Sequence, residues 1–129
     1  MGQIKVFGLA KHLNGKKDKI SKVIHSCIVD GFKFPPDKKF QRFFPLEPDD
    51  FYYPEGRTEQ YTIIEVSIFE GRSIEAKKDF IRLIYARFRD QLEITENDIE
   101  ITIFETPKSN WGIRGLPGDE LNLNYKVNI

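Results

Sequence analysis

The stretch that decides the fold runs from Tyr61 to Leu116: YTIIEVSIFEGRSIEAKKDFIRLIY over residues 61–85, then LEITENDIEITIFETPKSNWGIRGL over 92–116. At its start, Thr62, Ile64, Val66 and Ile68 share one face. Tyr61, Ile63, Glu65, Ser67 and Phe69 share the other, the two-residue period of a half-buried strand. Gly71-Arg72-Ser73 supplies a turn and an N-cap hydroxyl. Phe80, Ile81, Ile84, Tyr85, Phe88 and Leu92 then trace the apolar stripe of a helix. Ile99, Ile101 and Ile103, alternating with Glu100, Thr102 and Phe104, predict another strand. The unit is β-α-β, whose right-handed crossover makes the two strands parallel.

Outward from this unit, the amino-terminal half repeats it. Gln3–Leu9 reads as a strand, and Ile20, Val23, Ile24, Cys27 and Ile28 predict a helix from about Gly15 to Asp30, ended by Gly31. After Pro35-Pro36, Lys39–Leu46 predicts an aromatic strand with Pro45 at its end or edge. Lys16-Lys17-Asp18 matches Lys77-Lys78-Asp79, and Ile20, Val23, Ile24 and Cys27 match Ile81, Ile84, Tyr85 and Phe88, all at an offset of 61. The chain therefore reads as a single domain, 1–129, with repeat halves of about 1–58 and 59–129 joined by PLEPDDFYYPEGRTEQ, a long connection. The tail from Pro107 has loop composition around Trp111-Gly112 and a last strand at Asn124–Ile129. The expected fold class is α/β (α+β), with two β-α-β repeats forming a four-stranded mixed sheet and both helices on one face. The order β-α-β-β-α-β is also that of ferredoxin-like domains, the structural alternative.

Composition narrows the function. Among 129 residues, 20 basic and 20 acidic side chains cancel, so the chain lacks the basic stripe of a nucleic-acid or anionic-membrane binder. The single cysteine, Cys27, excludes an intrachain disulfide framework and a multi-cysteine zinc site, and it fits a reducing compartment such as the cytoplasm. No apolar run approaches the length of a membrane span, and the first residues lack the apolar core of a signal peptide. No phosphate-binding glycine motif, serine-nucleophile motif or metal-ligand cluster is present, so neither cofactor nor metal is expected.

Residues 61–116 resemble the second half of malonate semialdehyde decarboxylase-like members of the tautomerase superfamily. The marks are Gly71-Arg72-Ser73 opening the helix, Thr95-Glu96-Asn97-Asp98 before the alternating strand, and Asn110-Trp111-Gly112 followed by Arg114-Gly115. Arg42 to Arg57, with Asp50-Phe51-Tyr52-Tyr53-Pro54, is similar to an uncharacterised bacterial subgroup of that superfamily lacking the amino-terminal proline. The resemblance implies a homotrimer whose amino termini lie beside pockets at subunit interfaces. There a terminal proline amine acts as base or acid and arginines hold a small carboxylate.

Three positions depart from this pattern. Gly2 stands where the proline would, so removal of Met1 leaves a primary amine. Glu70 replaces the first of two arginines, and only Arg72 matches. The position of the water-assisting acid is Lys38, with Asp37 before it. The catalytic candidates are therefore the terminal amine of Gly2, once Met1 is removed, and Arg72. The substrate-binding candidates are Arg42, Arg57, Arg72 and Trp111.

Each has a plainer alternative: a surface pair of Arg72 with Glu70 or Glu75, interface pairing of Arg42 and Arg57 with Glu47, Asp49 or Asp50, and a packing anchor for Trp111. His12 reads as a solvated loop residue, His25 as a helix residue without a second ligand, and Cys27 as core. If active, the protein performs isomerase or lyase-type chemistry on a small keto or enol carboxylate. The alternative is a non-catalytic trimeric binding or assembly protein.

Overall fold

The computed structural model describes residues 2–122 and 127–129. Four strands, β1 (Gly2–Leu9), β2 (Gln41–Leu46), β3 (Thr62–Phe69) and β4 (Ile99–Thr106), make one mixed sheet in the order β2-β1-β3-β4. β1 runs parallel to β2 and β3 parallel to β4, while β1 and β3 meet antiparallel from Gly2↔Ile68 to Gly8↔Thr62. The two strands of each β-α-β unit are thus direct neighbours. In the split arrangement of ferredoxin-like domains another strand comes between them, so that alternative is set aside.

The duplication is visible in burial: β1 and β3 are both eight residues long and alternate buried and half-buried positions identically. Between the strands run a short helix α1 (Ala10–Leu13) and the two long helices α2 (Lys17–Phe32) and α3 (Ile74–Leu92). Both long helices pack on the same sheet face. Ile20, Ile24 and Cys27 of α2 meet Phe80, Ile84 and Phe88 of α3 over Val6, Ile64 and Val66 of the sheet. At the seam Arg87 Nη1 donates to Ser26 Oγ at 2.9 Å and Nη2 to Asp30 Oδ2 at 2.7 Å.

Helix boundaries follow local chemistry. Ser73 caps α3, its hydroxyl accepting from the Ala76 amide at 3.1 Å, as its position before an apolar run predicts. Gly31 does not end the first long helix. The helix continues through Phe32 and stops at Lys33, which takes the left-handed conformation (φ 59°), as Glu93 (φ 57°) does after α3. Gly31 instead sits inside α2 against Phe80, where an added Cβ would be in contact at 3.4 Å. The second strand begins at Gln41 rather than Lys39, and as an edge strand it accommodates Pro45.

The long connection is not featureless. Phe51 and Tyr61 are buried with Leu9, and Tyr53 packs on both rings. The tail contains the short antiparallel pair β5 (Gly112–Ile113) and β6 (Leu116–Pro117), which loop composition had hidden. Of the expected last strand, residues 124–126 lie outside the described residues. Val127 to Ile129 are not strand. They lie across the start of α3, where Val127 is buried against Phe69 and the Ile129 carbonyl accepts from the Ser73 amide at 3.1 Å.

Candidate active site at the start of the first strand

β1 opens at Gly2, which is buried and paired with Ile68. A Cβ there would lie 2.8 Å from Cε2 and 2.9 Å from Cζ of Phe34, so position 2 has no room for a side chain while that ring stays in place. Phe34 is itself buried just beyond α2. The guanidinium carbon of Arg72 lies 5.1 Å from the centroid of the Phe34 ring and 4.9 Å from that of Phe32, and Nη1 donates to the Phe69 carbonyl at 3.2 Å. Arg72 is only 5% exposed. It is not a surface arginine held by Glu70 or Glu75, because the turn after β3 directs it inward onto two aromatic rings. Glu70 is exposed, and its amide donates to the Thr106 carbonyl at 2.9 Å.

A cavity of about 190 Å³ lies beside Gly2, lined also by Gln3, Phe40, Trp111, Gly112 and Ile113. Trp111 stands edge-on to Phe69, with centroids 5.1 Å apart, so it both packs and walls the cavity. Gly112 and Ile113 come from β5. Phe40, at the approach to β2, is fixed through its carbonyl, which accepts from the Ile4 amide at 3.0 Å. The walls are mostly apolar and aromatic, the character of a small-molecule site.

The fit of Gly2 to Phe34 gives a direct expectation. Gly2→Val forces two branches against a packed ring and should lose about 1–3 kcal/mol. Urea unfolding of Gly2→Val beside a Gly2→Val, Phe34→Leu double variant checks it. Partial recovery in the double variant is expected, and an undiminished loss would show that Phe34 is not what position 2 meets.

The other sequence candidates lie elsewhere in the chain. Arg42 is exposed on β2, beside Lys5 and on the sheet face turned away from the helices. Arg57 belongs to the opposite end of β3 from Ile68, where within the chain Nη2 is 3.9 Å from Glu100 Oε1. Near it, burial, and then a hydrogen bond with Glu100, push Tyr61 up to about 12. Tyr52 is 85% exposed, and neither it nor Tyr53 lines the Gly2 cavity. Lys38 lies in the turn after Pro35, its amide donating to that carbonyl at 3.0 Å.

His25 Nε2 donates to the Pro36 carbonyl at 2.7 Å. Cys27 is fully buried, and burial pushes its thiol up, away from the reactive thiolate. His12 is not a solvated loop residue: it sits on α1, 6% exposed, with Nε2 3.2 Å from Thr62 Oγ1. Phe40, which lines the cavity, and Phe34, which packs against Gly2, were not singled out. The signal was present in FKFPPDKKFQRFF, whose aromatics exceed what an edge strand requires.

Against known proteins, the family described as "Tautomerase enzyme" matches residues 38–114. "Probable tautomerase YusQ" of Bacillus subtilis is 26% identical over 98 residues, which are 72% of this chain and 77% of that one. A 2-hydroxymuconate tautomerase of Pseudomonas putida is 35% identical over 60 residues, 46% of this chain and 95% of that one. Among solved structures, malonate semialdehyde decarboxylase superposes with a TM-score of 0.81 at 19% identity, covering 92% of this chain and 99% of that one. A fused 4-OT described as an asymmetric trimer gives 0.78 at 16% identity, over 91% and 96%.

Proposed function

The chain belongs to the tautomerase family, and from that premise we propose that it binds or isomerises a small keto or enol carboxylate in the cavity beside Gly2. The observation that carries this reading is the convergence of Gly2 and Trp111, from opposite ends of the chain, on one apolar cavity. The Phe34 ring that meets position 2 also lies 5.1 Å, centroid to guanidinium carbon, from Arg72. In this reading the terminal amine of Gly2, freed by removal of Met1, moves the proton. An α-amine of ordinary pKa, about 8, has a neutral fraction near neutral pH that can act as a base.

The working unit is a homotrimer, as the related fused 4-OT is described. Neither Arg42 nor Arg57 is among the residues lining the Gly2 cavity, so in this reading they hold the substrate carboxylate as residues of a neighbouring copy. No helix among the described residues is long and apolar enough to cross a membrane.

Untagged protein of measured intact mass, assayed for enol-to-keto conversion of a small aryl enol acid, tests the proposal. The expected result is a demethionylated trimer with a rate above buffer. A demethionylated trimer without such a rate removes the enzymatic reading. A second reading, a non-catalytic trimeric binding or assembly protein, draws on the glycine at position 2 and the exposed acid at position 70. Saturable binding of the enol acid without turnover would favour it.

A further inference from the structure

The cavity beside Gly2 has no charged side chain among its described lining residues. Gly2 and Gly112 bring no side chain to it, Phe40 and Ile113 bring hydrocarbon, and Trp111 brings an indole whose N–H can only donate. Gln3 is left as the residue there whose side chain both donates and accepts. We propose that Gln3 is the specificity-determining residue of this cavity: its carboxamide meets an uncharged polar group of the ligand, so the cavity takes the neutral end of a monocarboxylate and refuses a second carboxylate. The inference rests on the reading of the cavity given above and names the class of acid that it admits.

Alternation along β1 sets the direction of Gln3. The Cβ position of Gly2 faces Phe34, and Ile4 is buried in the same core cluster as that ring, so the residue between them turns its side chain out on the opposite face. Gln3 is half-buried there. Gln41 is held within the chain, its Nε2 donating to the Ser21 carbonyl at 3.2 Å, but the Gln3 carboxamide has no such partner among the described residues. It is available to a ligand.

Size and charge then select the ligand. An apolar protein cavity of about 150 Å³ admits benzene. The cavity of about 190 Å³ accordingly accommodates one aromatic ring with a small substituent. A carboxylate brought against these walls loses its hydration and finds a dipole but no cation, whereas a ketone, an enol or a phenol is satisfied by one hydrogen bond. A carboxamide suits both tautomers of an oxo acid, since its N–H donates to the keto oxygen and its C=O accepts from the enol hydroxyl. The carboxylate that every such acid carries stays outside the cavity.

Phenylpropionate, its para-hydroxy derivative and its para-carboxy derivative test the proposal. None of them can tautomerise, so binding is measured apart from turnover. Trp111, the one tryptophan of the chain and a wall of the cavity, reports binding through its fluorescence. Whichever way round it enters, the para-carboxy compound must bring a carboxylate into the cavity. It should bind at least about tenfold more weakly than phenylpropionate, and the para-hydroxy compound about threefold to tenfold more tightly, the span of one neutral hydrogen bond. Gln3→Leu should bring the ratio of para-hydroxy to phenyl affinity down to about one, and Gln3→Lys should reverse the preference between the para-carboxy and phenyl compounds. Each ratio is taken within one protein, so a change in stability does not move it. Equal binding of mono- and dicarboxylate by the natural chain, or ratios unmoved by either substitution, would overturn the assignment to Gln3 while leaving the cavity as a ligand site. Quenching by none of the three would remove the cavity reading itself, and the assignment with it.

Discussion

As the pH falls from the ordinary imidazole value of 6.5 to about 4, the fold should lose about 3 kcal/mol of stability through one side chain, His12. Burial is the main reason its pKa is lowered to about 4; the charge of Lys16 lowers it further, and Asp98 partly opposes both. The hydrogen bonds fix the proton. Thr62 Oγ1 donates its hydrogen to the Gln60 carbonyl at 2.8 Å, so at 3.2 Å it can only accept from His12, and the neutral tautomer carries its proton on Nε2.

A second proton would then have to be held at Nδ1, which is buried and has no hydrogen-bond partner among the described residues. With a folded pKa below the unfolded one, the unfolded chain binds more protons between the two values. Stability is complete above 6.5 and is lost on the way down to about 4. Urea unfolding at the two ends of this window, for the natural chain and for His12→Gln, measures it. The variant should start less stable but show a flatter dependence. An equal loss in both would assign the acid sensitivity to other groups.

Phe80→Ala should cost about 3–5 kcal/mol, the range for removing a fully buried aromatic ring. Phe80 is inaccessible and stacks on Phe32, with centroids 4.6 Å apart and planes 18° from parallel. Gly31 holds the backbone of α2 close against it, so the space cannot be refilled by a small shift of one side chain. Phe32 also forms one wall of the Arg72 site, so the packing between the helices continues to the guanidinium. Phe80→Leu keeps most of the volume and should lose less than half as much. A loss under about 1 kcal/mol for the alanine variant would mean that the ring is not packed as described.

The fold was legible because its signals are local and repeated. The alternation of β3, the stripe of α3, the hydroxyl of Ser73 and the repeat offset each need only a few neighbouring residues, and they agree. The cavity was legible in part. Gly2 and Trp111 were both singled out, and they share it. Arg72 was singled out too, but its surroundings could not be read from Glu70 and Glu75. The rings that cover it, Phe32 and Phe34, are some forty residues earlier and arrive only with the β1–β3 pairing.

His12 failed for a different reason. A helix of four residues has no periodicity to betray its inner face, so burial beneath Thr62 leaves no mark in the sequence. Gly31 misled because glycine is a common helix stop, and here the left-handed turn falls on Lys33 instead.

Ser26 and Arg87 occupy the same place in the two repeats, and they touch. Such a place lies on the approximate twofold axis that relates the halves, and in a dimer of two identical half-chains it would meet its own copy. Two arginines there would repel, and two serines would leave Asp30 without its cation. Within one chain the two equivalent positions can carry different residues, so a donor and an acceptor can face each other there.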